Sequence, residues 1–209
     1  MSIRGRVSVE LAVLALGTLL FLTVLPRRPV VLDVALALFA LSLVATTARD
    51  TRERVWGSPA APFGERARHS TRRVLIATAV VLPLFGAWRV ISGGQLITPT
   101  FALALIVFVP WAYLQQALFQ FYLLGRVRAL LAGTPPGAVA VANGLLFGLV
   151  HLPHWDVAAV TVVAGTVWSW YYLRDRYLTP IALSHAVLGT TYFYWVRGED
   201  LVRRWIGAG

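Results

Sequence analysis

Residues 97–124 read ITPTFALALIVFVPWAYLQQALFQFYLL. These 28 residues contain no Asp, Glu, Lys or Arg, and a helix needs only about 20 apolar residues to cross the roughly 30 Å hydrocarbon core of a bilayer. The run therefore reads as a transmembrane helix that overshoots the membrane at one end. Its second half holds Gln115, Gln116 and Gln120. A polar side chain inside a span costs free energy unless neighbouring groups meet its hydrogen bonds, so these amides mark the place to look for a functional site.

Six further apolar stretches surround this one, at about 7 to 25, 29 to 48, 74 to 93, 137 to 152, 155 to 173 and 178 to 196. With 58% hydrophobic residues, 13% charged residues and a mean hydropathy of +0.70, the chain is too apolar for a soluble domain. The expected fold is all-α, a polytopic transmembrane helical bundle of about seven spans. Residues 1–96 would form three N-terminal transmembrane helices with a basic loop at 49–73, and residues 97–209 a four-helix core carrying a polar cavity. The loop holds Gly57, Ser58, Pro59 and Pro62 among its arginines and reads as a solvated linker on the membrane surface. The first span follows Arg4 and Arg6 but has no small-residue cleavage site before Arg27, so it is expected to be retained.

All 19 basic residues are arginines, set against 9 acids. They sit in short segments between spans, which is the positive-inside pattern and not an aromatic-interleaved surface for nucleic acid. With the N-terminus inside, 13 arginines fall on that side and 6 on the other. This predicts an integral, multi-pass protein of a bacterial inner membrane with its N-terminus cytoplasmic and its C-terminus outside. The absence of cysteine excludes disulfides, thiolate metal ligands and a cysteine nucleophile.

Two histidines fall in the later spans, His151 and His185. Helical rise tests whether they share a depth with the glutamines. If the helix from 97 runs on through Arg126 and Arg128 to Leu131, Gln115 lies about 24 Å from the turn at Pro135-Pro136, and His151 lies about 22 Å from the same turn. His185 lies about 10 Å in from Leu178, and Gln115 about 15 Å in from Arg126. One polar layer can therefore hold Gln115, Gln116, His151 and His185. Gly144, Phe147, Gly148 and His151 recur at three, one and three residues, one stripe of a helix, and the glycines would let another helix approach the histidine-bearing face.

Most membrane-protease chemistries are absent. There is no HExxH; His151 and His154 are spaced HxxH, but Pro153 interrupts the helix and no acid stands at a general-base position, so no metal is expected. No GxSx motif or aspartate pair is present, and Ser184 points about 100° away from His185. The two histidines could serve as axial ligands of a haem, but no cofactor is expected. What remains is three motifs in order: Gln115-Gln116-Ala-Leu-Phe-Gln120, Phe147-Gly-Leu-Val-His151 and His185-Ala-Val-Leu-Gly189. In spacing and placement these resemble the EExxxR, FxxxH and HxxxN motifs of the CPBP family, the CAAX prenyl protease and bacteriocin-processing group of glutamic intramembrane proteases. The resemblance covers roughly residues 98 to 195. It implies an intramembrane endopeptidase in which the first glutamate activates water, while the histidines and the asparagine orient that water and stabilise the oxyanion. Carried onto this chain, the motif positions are Gln115, Gln116, Gln120, His151, His185 and Gly189, of which only the histidines keep the family residue.

A carboxylate can take a proton from water, whereas a neutral amide only donates and accepts hydrogen bonds. General-base help is typically worth about 10² to 10⁴ in rate, so Gln115 in that role would be strongly impaired. Replacing both acids and the arginine together leaves a neutral network without a stranded buried charge. Asp156 is the nearest acid to His151, but the break at Pro153 sends it toward the outer interface, and Glu10 and Asp33 lie outside the matched region. Two functions follow from the resemblance. One is an endopeptidase relative with weak or altered hydrolysis. The other is a non-catalytic member that binds a hydrophobic or prenylated peptide, or a membrane-protein partner, within the lipid bilayer, in an immunity or scaffold role. Interhelical hydrogen bonding alone would also account for the glutamines.

Overall fold

A computed structural model describes residues 30–51 and 63–206, together with positions 5, 9 and 12. The span expected at 7 to 25 falls outside these residues apart from Val9 and Ala12, and so do the structure of Glu10 and the side chain of Asp33. Each of the other six expected spans coincides with a helical segment, and no strand occurs among the described residues. Helix α1 is Val30–Thr51, α2 Phe63–Ile91, and α3 Pro99–Gln116. A π-helical segment, Ala117–Leu123, carries α3 without a break into α4, Leu124–Leu130. Helices α5 (Pro136–Leu149), α6 (Trp155–Asp175) and α7 (Thr179–Thr191) follow. A second π segment, Tyr192–Arg197, continues α7, and the short α8 spans Leu201–Trp205.

The starts are set by local chemistry. Thr98 is extended and its hydroxyl accepts the Phe101 N–H at 3.1 Å, with Pro99 in the first turn where a missing N–H costs nothing. Pro136 and Pro180 likewise sit in the first turns of α5 and α7, without a side-chain cap. Gly198, at φ 67°, ends the second π segment in the left-handed region that glycine enters without a Cβ penalty. The helix is continuous from Pro99 to Leu130, which meets the condition that it run on past Arg126 and Arg128.

The loop expected at 49–73 is helical at both ends: α1 runs to Thr51, and α2 begins at Phe63, eleven residues before the apolar run at Val74. Arginine and alanine are good helix formers, so the apolar helix propagates backward through the charged segment. That segment is also packed. Ser70 is fully buried, and Arg73 donates to Asp175 of α6 at 2.9 Å. Further along α2, the Thr78 hydroxyl lies 2.7 Å from that of Ser184 on α7.

Two stretches, Ala67–Ile91 and Pro99–Leu130, are long and apolar enough to cross a membrane, while Ala37–Arg49 and Pro136–Leu149 are apolar but shorter. Both long helices turn apolar side chains outward, Leu75, Val80, Leu84 and Trp88 on α2 and Ile106 and Trp111 on α3. Such a continuous outward apolar surface suits contact with lipid. The core lies inside, around Phe119, Phe147, Trp168, Tyr172, Leu178 and Ile181. There α5 and α6 pack backbone to backbone: a Cβ added at Gly144 would lie 2.7 Å from the Val162 carbonyl oxygen, and one at Gly148 would lie 2.8 Å from that of Ala158. The small-residue stripe thus docks the next helix in the chain.

Candidate active site

Gln116, the last residue of α3, is fully buried, and its Nε2 lies 3.0 Å from Nδ1 of His185 on α7. As the amide stands it donates to an unprotonated Nδ1, which places the imidazole proton on Nε2. Aromatic rings surround this histidine: Trp168 at 5.0 Å, Phe147 at 5.5 Å and Phe108 at 5.7 Å between centroids, the two phenyl rings edge to face. His151 follows the end of α5 and is half-buried. Its ring stands edge to face with the same Phe147 ring at 5.3 Å, and its Nδ1 lies 2.7 Å from the Phe147 carbonyl oxygen. A carbonyl only accepts, so Nδ1 carries the proton and the Nε2 lone pair is left open. Phe147, held over Gly165 of α6, is the common wall of both imidazoles.

The remaining motif positions contribute differently. Gln115 is half-buried and its Oε1 has no hydrogen-bond partner; Gln120, in the first π segment, is fully buried with neither amide end partnered. Neither bonds to a histidine. Gly189 lies one turn beyond His185, where a Cβ would come within 2.8 Å of Phe108 Cε1 and 3.6 Å of His185 Cδ2. Phe108 thus fills the space that an asparagine side chain would need.

Asn143 was not singled out in the sequence, although it sits one turn before Phe147 on the stripe that leads to His151. It is fully buried, and its Nδ2 donates to the Phe119 carbonyl at 3.2 Å and to the Ser169 hydroxyl at 2.8 Å, tying α5 to the π segment and to α6. A lone asparagine in an apolar helix was the signal that could have found it. Its Oδ1, like the Oε1 atoms of Gln115, Gln116 and Gln120, has no partner, so the site is rich in buried hydrogen-bond acceptors.

Among the described residues, no carboxylate joins this group. The region 97–209 contains four acids, and each is engaged elsewhere. Asp175 pairs with Arg73. Asp156 accepts from Arg197 at 2.6 Å and from the Tyr192 hydroxyl at 3.2 Å. Glu199 accepts from Arg197 at 2.7 Å, and Asp200 accepts from the Tyr194 hydroxyl at 2.8 Å. Ser184 bonds to Thr78 and accepts from Trp168 Nε1 at 3.4 Å, away from His185.

Residues 99–191 match the family described as type II CAAX prenyl endopeptidase, Rce1-like. The match spans α3 to α7 and takes in every motif position from Gln115 to Gly189. This region is similar to the CPBP family. The matched region is thus similar to intramembrane endopeptidases, and two helices among the described residues are long and apolar enough to cross a membrane. No curated protein and no solved structure matches it significantly.

Proposed function

We propose that this family member keeps the site as a place to hold a hydrophobic or prenylated segment of a membrane peptide, and that glutamate-dependent proteolysis has been lost from it. The observation that carries this reading is the Gln116–His185 contact of 3.0 Å in a site to which none of the four nearby acids contributes. An amide in that position cannot take a proton from water. It holds His185 neutral with its Nε2–H free to donate, a group that recognises a peptide carbonyl. A carboxylate at 116 would instead accept from Nδ1 and favour imidazolium.

A multi-pass arrangement in a bacterial inner membrane, with seven spans and a cytoplasmic N-terminus, completes the proposal. It is supported by the arginine distribution, 13 against 6, and a reporter fused after Gly209 that reads cytoplasmic would reject it. The function is tested on the purified full-length protein with farnesylated and unmodified CAAX-type peptides. The wild type should bind the farnesylated peptide yet cleave it at least about 100-fold more slowly than a variant with the family set restored. That variant combines Gln115→Glu, Gln116→Glu, Gln120→Arg and Gly189→Asn with Phe108→Ala, because Phe108 must withdraw from the new side chain. Its hydrolysis should vanish on His151→Ala. Robust cleavage by the wild type would reject the proposal.

One observation favours a second reading. Because Nδ1 of His151 is committed to the Phe147 carbonyl, its Nε2 is a free base, and slow hydrolysis could use it in place of a glutamate. In that case wild-type cleavage would be lost on His151→Ala but insensitive to Gln115→Ala.

A further inference from the structure

Away from this site, a cavity of about 520 Å³ opens where α4, α5 and α6 meet at one end of the bundle. Arg128 and Thr134 line it from the α4–α5 side, Val139 from α5, and Trp170, Leu173 and Arg174 from α6. Its size is that of a ligand pocket. The two arginines come from different helices and both are exposed. No acid lines the cavity, and neither arginine has an ion-pair partner among the described residues. Arg174 lies 5.9 Å over the ring of Trp170, itself partly exposed, so its guanidinium is positioned along the wall of the cavity.

The surroundings specify the ligand. This end of the bundle gathers the start of α2 and the ends of α4 and α6, which the Arg73–Asp175 pair and the shared cavity bring together. Between Phe63 and Tyr177 these segments carry eight arginines and two acids. The opposite end, with Arg89, Arg197 and α8, carries four arginines and three acids. An excess of arginine at helix ends, with Trp170, Tyr171 and Tyr177 beside it, is the composition of a membrane–water boundary. A pocket there meets phosphate on its charged side and acyl or glycerol carbon on its apolar side.

We propose that this cavity binds the phosphate headgroup of an anionic phospholipid, with Arg128 and Arg174 holding the phosphate and Trp170, Val139 and Leu173 receiving the stem of the lipid. Guanidinium groups suit phosphate oxygens, and basic pockets between membrane helices select anionic lipids in this way. The proposal does not depend on the state of the histidine site.

The test titrates phosphatidylglycerol or phosphatidylcholine into the detergent-purified full-length protein and reads retained lipid by native mass spectrometry. Phosphatidylglycerol should be retained in preference to phosphatidylcholine. The double variant Arg128→Gln, Arg174→Gln should weaken that retention by roughly fivefold for each arginine removed. A control pair, Arg68→Gln with Arg72→Gln, removes the same charge from exposed positions on α2 at the same end and should leave retention unchanged. Equal retention of the zwitterionic lipid, or an equal loss in the control pair, would overturn the proposal. Displacement of the lipid by inorganic phosphate at the same concentration would assign the pocket to a free anion and overturn it as well.

Discussion

The polar interior around Gln116 and the rim around Arg197 handle polarity in opposite ways. At the rim, one guanidinium joins two carboxylates: Arg197 reaches Asp156 at 2.6 Å and Glu199 at 2.7 Å, and Glu199 also meets Arg204 at 3.3 Å. Asp156 is about half exposed there, so water shares the solvation of the charges. In the interior, Gln116, Gln120 and Asn143 are fully buried and no charged partner is present among the described residues. Removing an ion from water into such a place costs several kcal/mol unless a partner and further hydrogen bonds offset it. The family pattern puts two acids and an arginine in this layer, a set that compensates itself. Losing one member would strand the others, and here all three positions hold amides. The two regions thus differ as burial dictates: charge stands at the rim, where water reaches it, and amides and imidazoles fill the layer around Gln116, where it does not.

The hardest test of this contrast changes the charge balance in each setting. Gln120→Arg alone should destabilise the protein by about 3 to 5 kcal/mol, because a guanidinium would be buried with no acid to meet it. Arg197→Gln at the rim should cost no more than about 1 kcal/mol, since its partners stay hydrated. Unfolding titrations in mixed micelles measure both. Equal losses would mean that the interior is as well solvated as the rim, and the contrast would fail.

A smaller effect probes the packing that keeps the interior closed. Gly144→Ala places a methyl group 2.7 Å from backbone atoms of α6, and backbone cannot move aside as a side-chain end can. The expected loss is about 1 to 3 kcal/mol in the same titration. Gly125→Ala, where a Cβ meets nothing within 4 Å, should be neutral or slightly stabilising. A neutral Gly144→Ala would show that α5 and α6 are not locked together behind Phe147.

Helical rise is why the shared level of the motif side chains is legible in the sequence. Counting from the turn at Pro135-Pro136 puts Gln115 and His151 level, and the structure joins the neighbouring Gln116 to His185 and sets both imidazoles on Phe147. Periodicity also locates the helices, because a run of uncharged residues has few alternatives. It misses what depends on tertiary contact. The start of α2 at Phe63 draws on helix propensity, but also on Arg73 finding Asp175 and Ser70 being covered, neither of which local composition reveals. Phe108 filling the space beside Gly189 joins residues 81 positions apart and leaves no local mark. Asn143 escapes the same reading because a single amide carries no spacing.

The smallest effect lies at the rim, where Asp200 caps α8 and accepts from the Val202 and Arg203 N–H groups at 3.0 and 3.2 Å. Asp200→Ala should cost about 1 kcal/mol through the lost cap. Asp200→Asn keeps the cap and removes the charge, which isolates the electrostatic part. Partial burial pushes the Asp200 carboxyl up, but hydrogen bonds from Tyr194, Arg203, Thr100 and Val202 outweigh it and hold the carboxyl below its ordinary value. A carboxyl whose pKa is lower folded than unfolded stabilises the fold at neutral pH, and that contribution is lost as pH falls from the unfolded value through the folded one. Melting temperatures of the wild type and Asp200→Asn should therefore differ at pH 7 and converge toward pH 3. A gap that persists at low pH would assign the effect of Asp200 to shape and hydrogen bonding alone, and would remove this carboxylate from the charged side of the contrast.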